Sequence, residues 1–144
     1  MSVLLDTCII SELCRATADP RVRNAVGRRS PDELFLSVIT LGELRTGVAL
    51  LPAGQKRSGL EGWLEELQHE FADRVLPVDL ETSHIWGEIT ARGRLKGEQV
   101  PATDGLIAAT ALRHGFQIMT RNTRHFEASG ALVVNPWRDD ERLA

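Results

Sequence analysis

The chain predicts an α/β fold, a mainly parallel sheet of about five strands flanked by helices. Three observations lead there. Short apolar runs of strand length, bounded by turn residues, alternate with segments whose apolar residues recur at helical intervals. The first run, Val3-Leu4-Leu5, starts beside the N-terminus and stops at Asp6, as a buried central strand would. The stretches between strands carry helical patterns, so neighbouring strands are joined by crossovers rather than hairpins.

Each element can be justified in turn. After Asp6, the spacing Ile9, Ile10, Leu13 suits a short helix, and Asp19-Pro20 reads as an N-cap with proline at the first helical position of a helix over about Arg21 to Arg29. Ser30-Pro31-Asp32 punctuates the chain before a second buried strand, Leu34 to Ile39. Leu41, Leu44, Val48 and Leu51 mark a helix with Thr40 as its cap and Pro52-Ala53-Gly54 as its stop. A long amphipathic helix follows with Leu60, Trp63, Leu64, Leu67 and Phe71, a stripe wide enough to serve a partner subunit of a homodimer as well as the core. Arg74 to Val78 is a strand that Pro77 demotes to an edge. A helix through Ile85, Trp86 and Ile89 leads into the basic run Arg92, Arg94, Lys96 and a loop to Pro101. The helix Asp104 to His114 stops at Gly115, and Phe116 to Thr120 and Ala131 to Val134 supply the last strands. Asn135-Pro136-Trp137 anchors the C-terminus.

Size and composition suit such a fold. A chain of 144 residues fits one domain and needs no disulfide or structural metal to hold it, and 42% hydrophobic with 26% charged residues is ordinary globular composition. The cysteines, Cys8 and Cys14, are too few and wrongly spaced for a bridge or a metal clip, which fits a reducing cytoplasm. No apolar stretch is long enough to span a membrane and no signal peptide pattern opens the chain. A net charge of −3 argues against a generally basic nucleic-acid binder. Yet only Lys56 and Lys96 are lysines among 17 basic residues, and arginine is the type suited to bidentate phosphate contacts.

The chemistry gathers around Asp6. In an open parallel sheet, ligands bind beyond the carboxyl ends of the strands. Asp6, Glu43 and Asn122 fall at that end, and Asp104 joins them from its helix start. Three carboxylates and an amide carbonyl make a hard oxygen set suited to Mg²⁺ or Mn²⁺, and no Cys or His stands at zinc-ligand spacing. Capping offers a plainer account of each residue alone: Asp6, Asp104 and Asn122 are good first-turn residues, and Thr40-x-x-Glu43 matches a capping box. Caps are as easily supplied by serine or threonine, however, whereas clustered carboxylates repel unless a cation neutralises them. Glu12, about a turn and a half beyond Asp6, either supports the site or faces solvent. His69, His84, His114 and His125 are surface or core residues, and Trp63 and Trp86 belong to helical core stripes.

Four blocks of the chain resemble one family. Leu4-Leu5-Asp6-Thr7-Cys8-Ile9-Ile10-Ser11-Glu12-Leu13, Ser37-Val38-Ile39-Thr40-Leu41-Gly42-Glu43-Leu44, Asp104-Gly105-Leu106-Ile107-Ala108-Ala109-Thr110-Ala111 and Thr120-Arg121-Asn122-Thr123-Arg124-His125-Phe126 are similar, in that order, to the PIN-domain ribonucleases. The likeness is to the toxin subunits of VapBC-type toxin–antitoxin pairs, in particular their FitB-like branch. It implies a three-layer PIN-like fold as a single domain over residues 1–144, with Asp6, Glu43 and Asp104 as metal-binding residues and Thr120 as the small hydroxyl residue beside them. It departs at Cys8, where these toxins usually have Asn, and at Asn122, where many PIN domains have a fourth acidic residue although Asn occurs in this branch.

The resemblance implies a metal-dependent endoribonuclease acting on RNA at a Mg²⁺ site, with Mn²⁺ as a substitute. It also implies inhibition by a cognate antitoxin that represses the operon by binding operator DNA. Catalytic candidates are Asp6, Glu43, Asp104, Asn122 and Thr120. Arg45, Arg121 and Arg124 are candidate phosphate contacts, with Arg92, Arg94 and Lys96 extending the track. Two rivals stand beside this reading: a phosphoacceptor domain, which wants a paired acidic motif and a late lysine that the chain lacks, and a non-catalytic module that kept the fold and lost the chemistry.

Overall fold

A computed structural model describes residues 1–138. Its elements run β1 (Val3–Leu5), α1 (Thr7–Leu13), α2 (Pro20–Gly27), β2 (Leu34–Ser37), α3 (Val38–Ala49), α4 (Gln55–Glu70), β3 (Val75–Leu76), α5 (Leu80–Leu95), α6 (Ala102–His114), β4 (Gln117–Met119), α7 (Thr123–Glu127) and β5 (Val133–Val134), with a short 3₁₀ turn at Pro31–Glu33. The five strands lie in the order β3-β2-β1-β4-β5, and every pairing is parallel. β1 is central, as its unbroken apolar run predicts, and β3 is an edge strand ending just before Pro77.

Strand alternation divides the core between the two faces of the sheet. Val3 and Leu5 of β1, with Leu36 and Met119, pack with Ile9, Val22, Leu64 and Leu67 of α1, α2 and α4. Leu4 points to the other face, where with Ile118 it meets Ile89, Ile107, Ala108 and Phe126 of α5, α6 and α7. The result is the three-layer arrangement expected. Leu64 and Leu67 of the α4 stripe are buried in this core, while Leu60 and Trp63 are half-buried and line a shallow groove with Leu44 and Val48 of α3.

Other expectations need correction at element ends. The second strand stops at Ser37 rather than Ile39, because the Ser37 side chain accepts the Ile39 N–H at 3.0 Å and starts α3 at Val38. Thr40 is consequently not a cap but a buried residue of the first turn, and the Thr40–Glu43 capping box does not form. The capping box instead falls at Ser30 and Glu33. α5 continues through Arg92 and Arg94, whose charges complement the carbonyl end of that helix, so the basic run begins inside a helix and not in a loop. α6 starts at Ala102, two residues before Asp104, and closes on Gly115, whose φ of +71° is left-handed. At the C-terminal end the Asn135 side chain accepts the Trp137 N–H at 2.9 Å and Arg21 donates to the Trp137 carbonyl, so this segment is anchored as predicted.

Candidate active site

The carboxyl ends of β1 and β4 and the first turns of α1, α6 and α7, with Glu43 one turn into α3, surround one cleft of about 430 Å³. Asp6, Glu43, Asp104 and Asn122 all line it. Parallel topology explains the gathering: every strand delivers its C-terminus to the same side, so the residue following each strand meets the others.

Asp6 is the most constrained group. It caps α1, is 3% exposed, and accepts the Thr7 N–H at 2.8 Å on Oδ1. On Oδ2 it accepts the hydroxyl of buried Thr120 at 2.7 Å and the Cys8 thiol at 3.5 Å. Burial pushes its carboxyl above the ordinary range against these hydrogen bonds, and the Glu43 charge adds to the rise. Capping and site membership are thus compatible at Asp6: one oxygen caps, and the other belongs to the cleft network.

Glu43 is oriented from α1, since its Oε1 accepts the Thr7 hydroxyl at 2.5 Å, and Thr7 lies 3.3 Å from the Thr40 hydroxyl. Asp104 sits on the third residue of α6, half-buried. Burial raises its carboxyl first and the Asp6 charge second, with Glu43 adding and His125 opposing. Both rises are owed first to burial, and the neighbouring carboxylate charges add to them.

Thr120 also accepts the Asn122 N–H at 2.9 Å, which ties the end of β4 to the start of α7. Asn122 holds the N-cap position of α7, yet its side chain makes no capping hydrogen bond, so its amide remains available to the cleft. Cys8, placed where the resembling family has Asn, reproduces part of an amide's bonding. Its sulfur accepts the Arg121 N–H at 3.4 Å and lies 3.6 Å from the Thr120 hydroxyl. Burial, and then the neighbouring Asp6 charge, pushes the thiol up, so it stays protonated and able to donate to Asp6. Cys8 and Cys14 are both free.

The cationic candidates separate. Arg121 lines the cleft with its guanidinium 4.0 Å from the centre of the Trp137 ring, stacked on the indole. Arg45 does not line it; residues two apart on a helix face different ways, and Arg45 turns to Glu61 on α4 at 4.0 Å while Glu43 turns to the cleft. Arg124 on α7 is exposed and likewise outside the cleft lining. Four lining residues escaped sequence reasoning as site residues, Thr7, Ser11, Arg15 and Trp137. Glu12 is buried and lines the cleft too, accepting the Asp19 N–H at 2.8 Å and Arg15 at 3.2 Å. The i, i+3 spacing of Glu12 and Arg15 was the available signal for that pair; nothing local to Trp137 pointed at the cleft.

As a metal centre the donor set fits a hard divalent cation. It is all oxygen, the Asp6 and Asp104 carboxyls are raised by burial and by neighbouring charge that a cation would relieve, and an uncommitted amide stands beside them. Among the described residues no three Asp, Glu, His or Cys side chains converge closely enough to hold an ion together. The carboxylates instead stand around an open cleft, as a site shared with a substrate would require.

Comparison with known proteins agrees with this fold. The family model described as PIN domain matches residues 3–131. The chain belongs to the PIN-domain family. It is 42% identical over 136 residues to a VapC ribonuclease, Y4jK, of Sinorhizobium fredii, covering 94% of this chain and 97% of that protein. It is 40% identical over 138 residues to toxin FitB of Neisseria gonorrhoeae, covering 95% and 99% respectively. Among solved structures it is similar to FitAB bound to an IR36 DNA fragment, with a TM-score of 0.88 and 38% identity over 94% of this chain and 96% of that one. Among the described residues of this PIN domain, no helix is long and apolar enough to cross a membrane.

Proposed function

We propose that this PIN domain is a metal-dependent endoribonuclease of a toxin–antitoxin pair, hydrolysing RNA phosphodiester bonds in the carboxylate cleft. The observation that carries the reading is the meeting of Asp6, Glu43 and Asp104, from three separate helices, around one cleft with Thr120 directly behind Asp6. Similarity to proteins named VapC ribonuclease and toxin FitB supports the reaction class.

Asp6, Asp104 and Glu43 would hold Mg²⁺, with Mn²⁺ as substitute; when bound, the ion supplies an activated water and neutralises charge on the attacked phosphate. The remaining work belongs to the chain itself. Thr120, Cys8 and the Thr7 N–H fix the Asp6 carboxylate, so its orientation needs no rearrangement on binding. Thr7 does the same for Glu43. Arg121, held against Trp137, places a guanidinium on the cleft wall for a phosphate of the strand, and Arg15 offers another while balancing Glu12. Charge on the cleft is otherwise negative, so an antitoxin that inhibits it would do so through basic side chains. Similarity to FitAB bound to DNA supports a cognate antitoxin, and operator binding through it, as partners.

The test is the chemistry of the cut ends. Purified protein with Mg²⁺ should leave 5′-phosphate and 3′-hydroxyl termini on RNA, and Asp104→Asn should lower the rate by at least about a hundredfold. Termini bearing 2′,3′-cyclic phosphate, or an undiminished Asp104→Asn, would sink the proposal.

A further inference from the structure

A second cavity, of about 360 Å³, opens between α5, the loop joining it to α6, and α7. It has no lining residue in common with the carboxylate cleft but adjoins it, and His125 on its wall is near enough to act on the Asp104 charge. The first turn of α6 gives Asp104 to the cleft and Ala102 to this cavity, and the start of α7 gives Asn122 to the cleft and His125 to this cavity. Trp86 binds the two together: a Cβ added at Gly105 would lie 3.0 Å from the Trp86 ring, so the indole rests on the α6 backbone one residue past Asp104.

The lining has the character of a ligand site. Trp86, Ile89 and Val100 make an apolar floor. Arg94, Glu98 and Gln99 rise around it, and among the described residues none of their side chains is engaged in a hydrogen bond or ion pair. An aromatic wall with a few convergent, uncommitted polar groups, in a volume within the roughly 300–1,000 Å³ of small-molecule sites, suits a planar polar ring. The rim is basic through Arg94, with Arg92 and Lys96 on the same segment, which favours a ligand attached to a polyanion.

We propose that this cavity seats an unstacked guanine base of the RNA strand, from a nucleotide flanking the bond that is cut. The proposal rests on the nuclease reading above and adds a sequence preference to it. Guanine is the base whose edges match this set. Its N1–H and N2–H₂ are adjacent donors for one carboxylate, here Glu98, while O6 and N7 are acceptors for a guanidinium or amide, here Arg94 and Gln99. A cytosine or adenine edge offers no paired donors to Glu98, and uracil presents two carbonyls with a single donor. Single-stranded RNA is read by such capture of splayed bases against aromatic side chains, with the phosphates held nearby. The shared α6 turn keeps the cavity within a nucleotide's reach of Asp104.

The test reads binding and cleavage separately. The indole N–H resonance of Trp86 in ¹⁵N-labelled protein, identified by its loss in Trp86→Phe, is followed during titration with each of the four nucleoside 5′-monophosphates. Guanosine monophosphate should move it at the lowest concentration. Glu98→Gln should weaken that binding roughly tenfold or more. Ala102→Phe, at an exposed position of the first helical turn, should abolish it while leaving the rest of the spectrum dispersed. In parallel, cut sites in a randomised RNA should be enriched in guanine at a fixed position beside the bond, and Glu98→Gln should erase that enrichment.

A Trp86 signal unmoved by guanosine monophosphate, or moved equally by all four nucleotides, overturns the guanine site. So does cleavage without guanine enrichment. A wild-type protein that cuts no RNA under any divalent metal instead overturns the nuclease reading, and the titration then decides the pocket by itself.

Discussion

Asp104 carries the clearest single-residue consequence. Burial and the Asp6 charge hold its carboxyl above the ordinary range, so the folded chain disfavours its ionised form relative to the unfolded chain. Its contribution is neutral below the usual carboxylate range and turns unfavourable as pH rises from that range through the raised value. In metal-free protein Asp104→Asn should therefore raise the melting temperature at neutral pH by a few degrees, and the gain should fade in acid. Added Mg²⁺ should close the gap by stabilising the wild type alone. Thermal denaturation of both proteins, with and without chelator, checks both statements. Cys8 makes a different prediction. Its thiol stands between Asp6, Thr120 and the Arg121 N–H, a place where both a donor and an acceptor are used. Cys8→Asn should keep RNA cleavage within a few-fold, whereas Cys8→Val, similar in size but unable to bond, should lower it by about tenfold through loss of Asp6 orientation.

At the scale of elements, each site residue depends on where a helix begins. Glu43 reaches the cleft because α3 starts at Ser37 and not three residues later; a later start would rotate it away from Thr7. Ser37→Ala removes the hydroxyl that accepts the Ile39 N–H and should cost about 1 kcal/mol of stability, measured as a lower denaturant midpoint. Cleavage should fall with it, since the same cap sets the angle at which α3 presents Glu43. α6 is fixed differently, by Trp86 against Gly105 on one side and by the left-handed Gly115 at its end.

The whole molecule places all its chemistry on one edge of a parallel sheet, with acidic groups in the cleft and arginines at its margin. A net charge of −3 therefore conceals a local division of labour. RNA binding should be salt-dependent through the arginines at the margin and not through overall charge. Arg121→Ala should reduce the slope of log affinity against log salt for a single-stranded RNA by about 0.7, the share of one phosphate contact. Arg45→Ala, paired with Glu61 away from the cleft, should leave the slope unchanged. Fluorescence anisotropy across a salt series in Ca²⁺, with the Asp104→Asn background to prevent cutting, distinguishes them.

Sequence by itself determined the class of fold and the centre of the site. An apolar run ending in Asp6, repeated by the runs Leu34 to Ile39 and Phe116 to Thr120, states both that the strands are parallel and that polar residues collect beyond their ends, because strand burial is a local property. Tertiary structure decided what depends on rotation and on distant partners. Glu43 looked like a cap because its spacing from Thr40 is local, and only the contact with Thr7 on α1 reveals its other role. Arg45 and Arg121 were equivalent as charges until α4 claimed one and Trp137 the other. Trp137 and the cavity beside Trp86 carry no local pattern at all, since a pocket is made by elements meeting and each element alone contains only part of it.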